Sequence, residues 1–146
     1  MEKFNWEKYE KGVFLINVLG IIFDRKTKKI LIGRRENDLY WTAHNQLTWV
    51  FPGGRPNYGE RLENGLMRQI KIKTGLNVNI KEIIFAKAYP EQKEFISIYY
   101  LCEIIGGKEK AGEFFVEIKW IKPKEMESYF TTSLHPKLKK YILSLK

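Results

Sequence analysis

A single cysteine, Cys102 in the apolar run FISIYYLCEII, leaves no partner for an intrachain disulfide, and a small buried core position is the expectation for it. No hydrophobic run is fit to cross a membrane. The longest, GVFLINVLGIIF at 12–23, is broken by Asn17 and falls short of the roughly 20 apolar residues that a spanning helix needs. The same run lies too far behind a mixed-charge start, MEKFNWEKYEK, to read as a secretory signal. Internal repeats and low-complexity segments are also missing. Together these absences predict a cytoplasmic protein without a membrane partner.

What is present fits one folded unit. A chain of 146 residues, 44% of them hydrophobic, is long enough to bury a real core, and a single domain over 1–146 is expected. Lys and Arg exceed Asp and Glu by 26 to 17, a net +9, which favours anionic partners without naming one, since runs such as DRKTKK at 24–29 read equally well as solvated loop charge.

Residues 13–23 and 30–33 read as strands joined by that basic turn, a hairpin. After a polar and aromatic stretch, TWVFPGG ends a strand in a forced turn. From 60 to 74 there is no proline, and Leu62, Leu66 and Ile70 recur at helical spacing, so a helix is predicted there, facing the sheet with that stripe and stopped by Gly75; a loop is predicted over 52–59. Gly65 weakens that helix by about 1 kcal/mol relative to alanine. Further strands are predicted at 77–89, 94–105 and 114–121, then a short helix in PKEMESYF and a closing amphipathic helix at 135–145. His135, just before a proline at that helix start, suits a capping role. This order predicts a mixed sheet with helices on its faces.

The stretch FPGGRPNYGERLENGLMRQIKIKTGL at 51–76 carries the most specific pattern. It resembles the signature of the Nudix superfamily, G-x5-E-x7-R-E-U-x-E-E-x-G-U with U aliphatic, with Gly54, Glu60, Arg68, Ile70, Gly75 and Leu76 on matching positions. The flanks LIGRR, Trp49 with FPGG, EIKW and KPKEM are similar to the family's surroundings too. The resemblance implies an α+β fold, an α/β/α sandwich around a mixed central sheet. It also implies that Glu60 and Arg68 brace the loop against the helix. In the family, the helix presents glutamates that hold divalent ions on a diphosphate; those positions are Gln69, Ile72 and Lys73 here, none of them a carboxylate.

The expected function is therefore binding of a nucleotide or nucleoside-diphosphate-linked small molecule, with Mg²⁺-dependent hydrolysis lost or strongly reduced and no cofactor needed. The ligand-binding candidates are Arg35, Tyr40, Trp41, Gly53, Gly54, Arg68, Gln69 and Lys73. Tyr40 and Trp41 stack on a base or cover the sheet edge, and nothing fixes a partner for His44. Lys73 either contacts phosphate in the space that metal fills in the family, or extends into solvent. Two alternatives stay open. One is an active divergent hydrolase of NDP-sugar or ADP-ribose type, using Mg²⁺ with Glu60 and Glu117 as catalytic carboxylates. The other is RNA binding, as in the Nudix-fold subunit of an mRNA cleavage factor. A homodimer is the family analogy.

Overall fold

The computed structural model describes residues 14–35, 49–89, 92–130 and 134–146. The described chain forms β1 (Leu15–Asp24), β2 (Lys29–Arg35), β3 (Trp49–Val50), β4 (Gly53–Gly54), α1 (Leu62–Thr74), β5 (Leu76–Tyr89), β6 (Gln92–Gly107) and β7 (Phe115–Ile121), then a 3-10 turn (Pro123–Glu125), α2 (Met126–Tyr129) and α3 (Pro136–Leu143). Strand order is β3-β2-β1-β6-β5, with β4 also on β1 and β7 also on β2. The sheet is mixed because β1 runs parallel to β6 while the other pairs are antiparallel.

β1 and β2 form the predicted hairpin, closed by the Asp24 carboxylate, which accepts from the Lys26 amide at 2.9 Å and the Thr27 hydroxyl at 3.0 Å. They pair only beside that turn, at Phe23–Ile30 and Asp24–Lys29. Beyond it β2 pairs with β3 and β7, whereas β1 pairs with β4 and β6. Residues 49–54 bridge the two halves, β3 lying on β2 and β4 on β1, and the Gly20 amide donates to the Pro52 carbonyl at 2.8 Å between them. The two glycines assigned to a loop are thus a short strand fixed to β1.

Each face of the sheet has its own core, as alternation along strands requires. On one face Val18, Ile22, Leu31, Tyr100 and Cys102 pack with Leu66 and Ile70 of α1, both fully buried, and with the partly buried Leu62. On the other, Ile21, Ile30, Ile32 and Tyr99 pack with Met126, Leu138 and Ile142 of the C-terminal helices. This is the α/β/α sandwich. Helix α1 begins two residues later than predicted and ends at Gly75, which takes the left-handed conformation. His135 caps α3, its Nδ1 accepting from the Lys137 amide at 3.1 Å. Burial pushes the Cys102 thiol up to about 12, which keeps it an inert core residue. No described helix is long and apolar enough to cross a membrane.

Candidate functional site

The site is built where residues 51–61 meet α1. Glu60 accepts from Arg68 twice, Nε to Oε2 and Nη2 to Oε1, both at 3.0 Å, and from the Asn57 amide at 2.8 Å. A bidentate guanidinium is the geometry that fixes a carboxylate most firmly. Those bonds, Arg68 first and the Asn57 amide next, hold the Glu60 carboxyl below its ordinary range, while Glu60 raises the Arg68 guanidinium. This pair braces the loop, as the resemblance implied. Arg61, at the helix start, makes no side-chain capping bond. Gly65 has its explanation here: a Cβ on it would lie 2.9 Å from Glu60 Oε1 and 3.0 Å from Pro56 Cβ, so the loop can lie against the helix only if that residue is bare.

One turn of α1 further on, two polar side chains fold onto the loop. Gln69 Nε2 donates to the Arg55 carbonyl at 3.4 Å, and Lys73 Nζ donates to the Gly53 carbonyl at 2.5 Å. A Cβ on Gly54 would sit 2.8 Å from the Gln69 amide, so the second glycine makes room for that side chain. Lys73 does not extend into solvent. Its ammonium is partly buried and lies 5.7 Å from the centre of the Phe114 ring. Burial lowers its pKa from 10.5 to about 8, helped by repulsion from Arg35 and Arg68 and opposed by Glu113. Ile72, at the third family position, is partly exposed and offers hydrocarbon.

The segment leading into β7 closes the site on the helix end. The Lys108, Lys110 and Gly112 amides donate to the Gly75, Thr74 and Lys73 carbonyls at 3.2, 2.8 and 2.8 Å, satisfying carbonyls that a helix terminus leaves open. Strand β7 then bulges. Arg34 faces Glu117 and Arg35 faces Phe115, one step on β2 against two on β7. The Glu117 carboxylate accepts from Arg34 Nε at 3.0 Å in a half-exposed ion pair. Arg35, the next residue, belongs to the opposite face of β2 and is close enough to Lys73 to perturb it.

The fold therefore gathers Gly53, Gly54, Glu60, Arg68, Gln69, Lys73 and Arg35 around one loop, while Glu117 is engaged by Arg34. Tyr40, Trp41 and His44 lie outside the described residues. Sequence reasoning missed Phe114 and Glu113, which it left in or beside a strand. Among the described residues no three His, Cys, Asp or Glu side chains cluster as a metal-holding group.

Comparison with known proteins is consistent with this geometry. Residues 13–144 match the NUDIX domain. An ADP-ribose pyrophosphatase of Methanocaldococcus jannaschii is 33% identical over 101 residues, covering 67% of this chain and 56% of that protein, so the match spans little more than half of that relative. The nucleoside triphosphatase NudI of Escherichia coli is 31% identical over 93 residues, 56% of this chain and 66% of that one. Among solved structures, a NUDIX hydrolase from Nitrosomonas europaea superimposes with a TM-score of 0.72 at 17% identity, covering 89% of this chain and 70% of that one, a likeness of fold.

Proposed function

Because this chain belongs to the Nudix family, we propose that its loop-and-helix site holds the phosphates of a nucleoside-diphosphate-linked small molecule directly on cationic side chains, with metal-dependent hydrolysis lost or strongly reduced. The observation that carries this reading is the partly buried Lys73 ammonium donating to the Gly53 carbonyl, at the position of a metal-binding glutamate in the family. Mg²⁺ takes oxygen ligands, preferably anionic. The three positions supply instead an amide that donates to the Arg55 carbonyl, an isoleucine and an ammonium, so these residues do not fit the ion. A lysine ammonium has three protons. One serves Gly53, and another can be donated to a phosphate oxygen without the group leaving the loop, with Arg35 adding charge beside it. Charge is neutralised this way, but an ammonium does not generate hydroxide as a bound metal does.

An active hydrolase is the second reading. It is favoured by the relatives above 30% identity whose names are those of an ADP-ribose pyrophosphatase and a nucleoside triphosphatase. The two readings separate in one panel. ADP-ribose, nucleoside diphosphate sugars, dinucleoside polyphosphates and triphosphates are assayed for product and for thermal stabilisation, each with and without Mg²⁺. Stabilisation by at least one compound, without product and without need of Mg²⁺, is the expected result. Mg²⁺-dependent product that survives Lys73→Ala puts the hydrolase reading first.

A further inference from the structure

The turn before β7 contains a residue with an unusual backbone. The Phe115 amide donates to the Gly112 carbonyl at 3.0 Å, closing a four-residue turn whose third residue is Phe114, at φ 67°. That position of such a turn calls for glycine or asparagine, because a left-handed backbone crowds any larger side chain. The turn is pinned on both sides. Gly112 is bonded to the end of α1, and Phe115 is buried with its ring over Gly33, where a Cβ would come within 2.3 Å of it. The bulge of β7 follows at once, a device that re-aims side chains beside functional sites. The outcome is a phenylalanine that is 52% exposed, with its ring centre 5.7 Å from the Lys73 ammonium. An apolar group displayed at the cost of backbone strain, next to the cation of the site, has no structural reason in the core.

We propose that Phe114 is the platform on which the aromatic base of the ligand stacks, beside the ammonium that holds its phosphate. The inference rests on the phosphate-site reading of Lys73. A nucleotide carries its base one ribose away from its first phosphate, so a base platform and a phosphate-binding cation belong near one another, as the ring and the ammonium are at 5.7 Å. Stacking on an aromatic face tolerates any base, so the subsite selects for a nucleobase over a bare phosphate chain.

ADP and inorganic pyrophosphate, titrated calorimetrically, test it. Wild type is expected to bind ADP more tightly than pyrophosphate. In Phe114→Gly the ADP affinity should fall about tenfold or more while pyrophosphate affinity changes less than about twofold, and Phe114→Tyr should keep the ADP preference. Thermal unfolding of Phe114→Gly should be unchanged or higher, since glycine relieves the left-handed backbone, which separates a lost ligand contact from a damaged fold. Three results overturn the proposal. If both ligands weaken together in Phe114→Gly, the ring only packs Lys73. If wild type binds pyrophosphate without preferring ADP, the base platform fails and the phosphate site stands. If wild type binds neither, the phosphate site itself fails and takes the platform with it.

Discussion

Lys73→Met should give a more stable protein that has lost its ligand. Burial and the neighbouring guanidinium groups hold the Lys73 pKa at about 8 against 10.5 in the unfolded chain, so folding disfavours the charged form. At about 1.4 kcal/mol for each tenfold change in proton affinity, the penalty at neutral pH approaches roughly 3 kcal/mol. Methionine fills similar volume without the charge. The lost bond to the Gly53 carbonyl returns about 1 kcal/mol, leaving a net gain of about 2 kcal/mol at pH 7. The sign of the pH dependence follows from proton counting. Below pH 8 both folded and unfolded chains hold the proton, and the penalty is fully present. Between 8 and 10.5 the unfolded chain holds a proton that the native one has released, so the stability of the wild type rises with pH relative to Lys73→Met. Above 10.5 the charge penalty is gone, and the bond to Gly53 leaves the wild type ahead by about 1 kcal/mol. Denaturant unfolding of both proteins from pH 7 to 10.5 measures the change. A variant less stable than wild type at pH 7, by a margin that does not change toward high pH, would show that the ammonium is not buried as described.

Gly53→Ala is expected to be the most damaging small substitution in the site. A Cβ there would stand 2.0 Å from the Val18 carbonyl oxygen and 2.8 Å from the Leu19 Cα, both backbone atoms of a central strand that cannot step aside. Relief requires β4 to leave β1, giving up the Leu19–Gly53 and Val18–Gly54 pairing and moving the carbonyl that receives Lys73. A loss of about 3 kcal/mol or more, with ligand binding lost as well, is expected from overpacking against fixed atoms. Gly59→Ala is the contrast. That residue has φ 79° but no atom within 4 Å of its Cβ, so only the left-handed backbone cost of about 1–2 kcal/mol applies. Equal losses in the two variants would mean that close approach at Gly53 is not what the glycine serves.

Much of this was legible beforehand because it is carried by local patterns. Leu62, Leu66 and Ile70 announce α1 and the face it buries, Gly75 announces its end, and the apolar runs announce β1, β5 and β6. Two-residue strands carry no periodicity, so Gly53–Gly54 read as a loop; their strand character comes from β1, far away in sequence. The Glu60–Arg68 brace was legible through the resemblance, since Glu60 precedes α1 and local rules do not fix how the chain before a helix lies against it. Lys73 was legible as a position but not as a conformation. Whether a lysine extends or folds back depends on which carbonyl the loop presents. Phe114 was hidden by its neighbours, because FFVEIKWI reads as an unbroken strand and nothing local signals the bulge or the turn.

Ligand affinity in excess EDTA, for wild type and Lys73→Ala, separates a phosphate held by lysine from one held by metal. With ADP-ribose as the probe, affinity is expected to be unchanged by the chelator and to drop about tenfold or more in Lys73→Ala, roughly 1.4 kcal/mol for the decade. A chelator that abolishes binding, with Lys73→Ala leaving it intact, would contradict the account and establish a metal-held ligand.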